Sequence, residues 1–285
     1  MADVVVVGKG PAGVSAAVYV LRAGFSVSLV GKDEGALGKA SRIENYYGFP
    51  AGVSGKELFR AGVDQAKALG AEVFDDEIVS AEFDGGFVFG SASSSYRGRA
   101  AVIACGVKRN SSTVPGLDKY EGRGGSRCAV CDGFFFRGKR VGVLGNGRYA
   151  ASEASVLVPL ASGVTVFTNG MELSSPMPDG VAVDERVVDS LFGDGRLEGV
   201  VVAGGERIQL SGLFVALGTA GAGDFALKLG AVAEGSRIVV DEKCSTGVPG
   251  LFAAGDCTGG LLQIASAVHK GAVAGLEAVK YLKGL

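Results

Sequence analysis

Val4-Val5-Val6-Val7-Gly8-Lys9-Gly10-Pro11-Ala12-Gly13 is the stretch on which the fold turns. Four β-branched residues in a row suit a strand buried on both faces, as in a parallel sheet. The glycines then turn the backbone into a helical segment from Val14 to about Ala23. Gly24 closes it, and Ser26 to Val30 reads as a second strand, completing a βαβ unit. A Gly-x-Gly-x-x-Gly turn in that setting brings backbone amides and the positive end of a helix close to a pyrophosphate. Gly8, Gly10, Pro11, Ala12 and Gly13 are therefore the expected dinucleotide contacts. Asp33 and Glu34 come after the second strand, where an acid would either hold an adenosine ribose or stay solvated.

The middle of the chain repeats the pattern. Arg140 to Leu144 reads as a strand, and Gly145-Asn146-Gly147-Arg148-Tyr149-Ala150 as the turn. A helix runs on to about Leu160, then a strand from Val164 to Phe167. The tail returns to the first style. Leu251-Phe252-Ala253-Ala254-Gly255-Asp256 is a short apolar strand ending in Gly-Asp, and a helix runs from about Leu262 to Leu282. Ile264, Val268, Val273, Leu276, Val279 and Leu282 form its expected apolar stripe. Asp256 could accept hydrogen bonds from a flavin's ribityl hydroxyls or simply cap the helix. The expected fold is α/β, with two Rossmann-like (three-layer ββα) dinucleotide-binding domains, the second inserted into the first. The boundaries are set at 1–112 and 233–285 for the first domain and 113–232 for the insert.

Composition narrows the function. The chain has 285 residues and a net charge of −2, which gives no reason to expect nucleic acid or an anionic membrane as partner. No apolar run approaches the roughly 18 residues of a membrane helix. Asp3 interrupts any leader-like segment, so the expected compartment is the cytoplasm. The five cysteines are an odd number at uneven spacing, unlike a stapled secreted scaffold.

Cys128-Ala129-Val130-Cys131 is followed by Asp132. Two residues between cysteines allow an easily reduced disulfide whose nucleophilic thiol has a depressed pKa. Asp132 could carry the proton that thiol–disulfide exchange moves. Zinc would need two more ligands. There is no second Cys-x-x-Cys, His269 is the one histidine, and Cys244 and Cys257 lack a usual ligand spacing. Redox chemistry without a metal is the expectation, with Cys105, Cys244 and Cys257 as buried small hydrophobes.

These residues together resemble the low-molecular-weight thioredoxin reductases. The carriers are Gly8 to Gly13, Ile43-Glu44-Asn45-Tyr46-Tyr47-Gly48-Phe49-Pro50, Gly122-Arg123-Gly124, Cys128 to Phe135, and Gly255-Asp256 through Gln263. The resemblance implies a homodimer, FAD held by the split first domain, and a redox disulfide on the insert. It implies that Cys131 lies nearest the flavin, that Cys128 attacks the disulfide of thioredoxin or a thioredoxin-like protein, and that Asp132 is the general acid. Asn45, Gln263 and Ile264 would be flavin neighbours. The family alternates between two domain arrangements.

The chain departs from that family at the second glycine motif, which should bind NADPH. The family places a His-Arg-Arg cluster after the next strand to hold the 2′-phosphate. This chain has Phe167-Thr168-Asn169-Gly170-Met171-Glu172, with no arginine from Tyr149 to Glu185. The insert is short between Gly170 and Leu213, and Gly218-Thr219-Ala220-Gly221 lacks the family's proline. The sequence is similar to relatives that take electrons from ferredoxin or reduced deazaflavin, and ferredoxin is the expected donor. Glu172 could still hold the ribose of NADH, so an NAD(P)H-dependent reductase stays open, as does a flavin redox sensor without thioredoxin turnover. Lys9 could pair with a phosphate, help dock an acidic carrier, or be a solvated surface lysine.

Overall fold

A computed structural model describes residues 1–107, 114–218, 220–234 and 237–284. The chain divides into two compact units, Met1–Lys108 with Gly221–Leu285, and Arg109–Ala220. The first crossing, expected near Ser112, lies outside the described residues. The second comes at Gly221 rather than Ala233. The helix Ala222–Lys228 carries Phe225, fully buried with its ring edge-on to Phe89 of the first unit. That buried aromatic contact fixes the segment to the first unit.

In the first unit the sheet order is Glu72–Asp75, Val27–Gly31, Ala2–Val7, Ser95–Ile103, Phe87–Gly90, Ser80–Phe83. Leu251–Ala253 also pairs with Ser95–Ile103. The pairings among the first four strands, and that of Leu251–Ala253, are parallel. The last two strands are antiparallel. Val4 to Val7 are buried, as the β-branched run predicts for a central parallel strand. The second unit has a parallel sheet in the order Val181–Asp184, Gly163–Phe167, Arg140–Leu144, Gly212–Val215, Gly125–Ser126. A three-stranded antiparallel sheet, Val188–Phe192, Gly199–Val202 and Arg207–Gln209, accompanies it. The α/β architecture with two Rossmann-like units is as the sequence predicts.

The C-terminal helix spans Ile264–Lys283; Val279 of the predicted stripe is in the core and Val273 and Leu282 pack against it, but small residues fill most of the buried face. Ala267, Gly271, Ala274, Gly275, Ala278 and Val279 are buried, whereas Leu276 is exposed. The cause is the close approach of the helix Pro11–Arg22. A Cβ at Gly271 would collide with the Ala12 carbonyl, and one at Gly275 would lie 2.6 Å from the Ala16 carbonyl oxygen. Small residues thus mark the contact better than large apolar ones. No helix among the described residues is long and apolar enough to cross a membrane.

Candidate active site

The two glycine turns are built alike. Gly8 N donates to Val30 O at 2.7 Å and Gly145 N to Phe167 O at 2.9 Å. Ala104 N donates to Val7 O, and Ala216 N to Leu144 O. Gly8 (φ 116°) and Gly145 (φ 156°) sit where a Cβ would collide with the carbonyls of Ala104 and Ala216 respectively. Each glycine is required by a neighbouring strand end and by a backbone conformation that L-residues rarely adopt.

In the first unit the turn leads into the helix Pro11–Arg22. Gly10 is its N-cap, Pro11 opens its first turn, and no side chain caps it. A Cβ at Gly10 would meet nothing within 4 Å, so the cradle in front of the helix amides is open. A Cβ at Gly13 would collide with the Gly8 carbonyl. Gly255 (φ 86°) brings the Asp256 turn against the start of this helix, since a Cβ there would lie 2.8 Å from the Ala12 Cβ. The Asp256 carboxylate takes no hydrogen bond from a described residue. Asn45 Nδ2 donates to Gln263 Oε1 at 2.9 Å, tying the 43–50 segment to the residue before Ile264, where the uncapped C-terminal helix begins. The glycine turn, Asp256, Asn45, Gln263 and Ile264 thus lie on one connected set of elements. Lys270 belongs to it too: its Nζ donates to Thr258 Oγ1 (2.8 Å) and Gly259 O (2.6 Å), pinning the turn after Asp256. A lysine inside a helix gives no sequence signal for that role.

Two acids and a lysine behave differently. Asp33 accepts from Gly35 N at 2.8 Å and closes its own turn, while Glu34 folds over Gly38. Lys9 is not a solvated surface lysine. It is buried, lies along Gly31, pairs with Asp75 and stands 5.8 Å from the Phe59 ring centroid. A buried ammonium needs such a partner. Cys244 and Cys257 are buried as expected, but Cys105 is an exposed residue. Its sulfur nevertheless turns inward to donate to Val7 O, and burial there pushes the thiol up to about 12.

In the second unit Cys128 and Cys131 are disulfide-bonded at the head of a short helix, Ala129–Asp132. Cys128 is 2% exposed, whereas Cys131 is exposed. Cys131 N donates to Cys128 Sγ at 3.1 Å. Ser126 Oγ donates to Asp132 Oδ2 at 2.6 Å and accepts from Cys128 N at 3.1 Å, so one hydroxyl joins the acid to the cysteine turn. Ser126 and Glu153, which accepts from Ala129 N, were not evident from the sequence, because neither forms a motif with the cysteines. Val130, Phe134 and Phe135 stand exposed around the pair, the two phenylalanines at 67% and 68%.

The second glycine turn is covered by its own chain. Asn146 Nδ2 donates to Glu172 O at 2.8 Å, and Ser174 N donates to Asn146 O at 2.8 Å. A Cβ at Gly147 would lie 3.0 Å from Ser174 Oγ. Arg186 is the first basic residue after Arg148, and it is engaged by Asp184 and Glu206. The turn of 218–221 includes Thr219, which lies outside the described residues.

Residues 2–271 match the model of the pyridine nucleotide-disulphide oxidoreductases. The chain belongs to that family. It is 32% identical to a thioredoxin reductase of Aquifex aeolicus, over 99% of this chain and 94% of the relative. A solved structure of the atypical thioredoxin reductase TRi of Desulfovibrio vulgaris Hildenborough is 39% identical, with a TM-score of 0.94 and coverage of 100% and 99%. A ferredoxin-flavin thioredoxin reductase of Clostridium acetobutylicum is 29% identical, with a TM-score of 0.72 and coverage of 100% and 99%. The protein is an FAD-dependent disulfide oxidoreductase of the thioredoxin reductase type. The open cradle at Gly10, the uncapped helix behind it and the Asp256 carboxylate, which has no hydrogen-bond donor among the described residues, fit a pyrophosphate and a hydroxylated chain.

Proposed function

We propose that the protein reduces thioredoxin, or a thioredoxin-like protein, and draws its electrons from ferredoxin rather than NADPH. The observation that carries the donor assignment is the covering of the second glycine turn by Asn146, Glu172 and Ser174. A pyrophosphate at this turn needs the space that Ser174 fills beside Gly147. The engaged Arg186 adds to it, because a 2′-phosphate calls for a free guanidinium or ammonium. The name of the clostridial relative favours ferredoxin over reduced deazaflavin.

In this reading Gly8, Gly10, Pro11, Ala12 and Gly13 hold the FAD pyrophosphate through backbone amides. Asp256 accepts from the ribityl hydroxyls, and Asn45, Gln263 and Ile264 border the ring. Asp33 and Glu34 are the acids nearest the adenosine end by sequence, with Asp33 already spent on Gly35 N. FAD, when bound, supplies the electron pair that opens the Cys128–Cys131 bond. Cys131 is the thiol on the flavin side. Cys128 attacks the partner's disulfide: its Sγ bonds to one partner sulfur and the other leaves as a thiolate, which Asp132 protonates. Cys131 Sγ then attacks the mixed disulfide, releasing the partner's second thiol and restoring the Cys128–Cys131 bond. The Cys131 N–H held on Cys128 Sγ lowers the cost of the attacking thiolate. The reading includes a cytoplasmic homodimer that alternates between domain arrangements, and Cys128, buried in the disulfide form, has to become accessible for its attack. The exposed Val130, Phe134 and Phe135 suit a protein partner.

The test is steady-state thioredoxin reduction under anaerobic conditions. Photoreduced ferredoxin should sustain turnover and NADPH should not. Turnover with NADPH at a rate equal to that with ferredoxin would overturn the donor assignment.

A further inference from the structure

The helix Arg148–Leu157 starts at the covered glycine turn, yet two of its side chains serve the cysteine turn. Tyr149 and Glu153 are one helical turn apart and share a face. Tyr149 Oη donates to Arg127 O at 3.2 Å, and Glu153 Oε2 accepts from Ala129 N at 2.7 Å. These two bonds hold the backbone on either side of Cys128. Each of the two residues is only 1% exposed.

We propose that this helix persists as a clamp on the disulfide, and that Glu153 is a positioning residue whose charge sets the acidity of Cys128 in the reduced protein. The inference rests on the cysteine pair being the redox centre. The deeply buried Glu153 carboxyl group takes the Ala129 N–H, the first amide after Cys128. Two electrons and two protons open the disulfide to two thiols, and ionisation of Cys128 then places a thiolate next to the Ala129 amide that the Glu153 carboxyl group holds. Like charges in a shared low-dielectric site disfavour one another, so Glu153 holds the Cys128 proton on more firmly. A dithiol whose thiolate is less stabilised is the stronger reductant, which suits a protein that passes electrons onward. Among the described residues, the Cys128 sulfur takes the Cys131 N–H, Ser126 joins the Cys128 amide to Asp132, Tyr149 holds the Arg127 carbonyl, and the Arg127 side chain pairs with Glu121 at 3.4 Å.

The test is anaerobic alkylation of the reduced, flavin-loaded protein with iodoacetamide across pH, with Cys128 and Cys131 followed separately by mass spectrometry. Reduction must first release two alkylatable thiols; if it does not, the redox-centre reading itself fails. Glu153→Gln keeps an acceptor for Ala129 N and removes the charge. Its Cys128 midpoint should move down by about one pH unit, giving about tenfold faster alkylation well below the midpoint. Glu153→Asp keeps the charge on a shorter arm and should retain the original midpoint. Two released thiols with an unchanged midpoint in Glu153→Gln, or an equal downward shift in both variants, would overturn the role given to the charge.

Discussion

The two glycine turns share their hydrogen bonds, their helix and their close approach to a neighbouring strand, but only one is open. At Gly10 the space beside the helix amides is empty, while at Gly147 it holds Ser174. The difference arises well away from the glycines. In the first unit the chain leaves its second strand at Gly31 through the turn that Asp33 closes. In the second it leaves Phe167 through Asn169, whose left-handed backbone (φ 58°) and side chain bonded to Val188 N steer the next residues back over the turn. The lesson is that a nucleotide motif is a backbone shape, and that the segment leaving the second strand decides whether the shape is used.

That comparison can be broken most forcefully at the open turn. Gly10→Ile adds bulk where the protein has room and a pyrophosphate would not, so the variant should fold yet purify without flavin absorbance. The matching Gly147→Ala, whose Cβ meets only the Ser174 hydroxyl, should keep its flavin and its ferredoxin-driven turnover within about twofold, because no ligand is displaced. Loss of flavin from the second variant would show the two turns to be coupled. Of intermediate size is the effect of Asp132→Asn, which should slow thioredoxin reduction by about 10²-fold while leaving flavin content intact, as checked by stopped-flow kinetics.

A smaller effect sharpens the account of the covered turn. Ser174→Gly alone should leave 2′,5′-ADP binding undetectable by calorimetry, since Arg186 stays engaged by its two carboxylates and cannot take the 2′-phosphate. Adding Asp184→Asn and Glu206→Gln, which release Arg186, should produce weak binding. The least effect is on stability. Asp184 is held below the ordinary carboxylate range, first by its hydrogen bond with Arg186. A depressed folded pKa stabilises the fold above the unfolded value of 3.8, and the gain disappears as pH falls through the folded value. Asp184→Asn should therefore lower Tm by about 2 °C near neutrality, with the gap closing in acid.

Much of this was legible in the sequence because it rests on local patterns. The run Val4 to Val7, the paired glycine turns and Cys128-x-x-Cys131 each specify a conformation or a chemistry within a few residues. The missing arginines after Phe167 were legible in the same way. The features that escaped depended on contacts between distant segments. Ser174 over Gly147, Lys270 on the Asp256 turn and Glu153 on Ala129 are each an ordinary residue whose partner is set by the packing of another element. Lys9 was misplaced for the opposite reason. Its position in the motif suggested a ligand, whereas the strand beside it supplied Asp75. On the C-terminal helix the large apolar residues mark only part of the core face, since tight packing on the first helix selects Gly271 and Gly275 over larger residues.

The measurement that bears most directly on the contrast is anaerobic single-turnover spectroscopy of the oxidised, flavin-loaded protein. Addition of photoreduced ferredoxin should bleach the flavin's visible absorbance and release the thiols of Cys128 and Cys131, while excess NADPH should leave both unchanged. Rapid bleaching by NADPH would mean that the second glycine turn opens and is used, and would contradict the account.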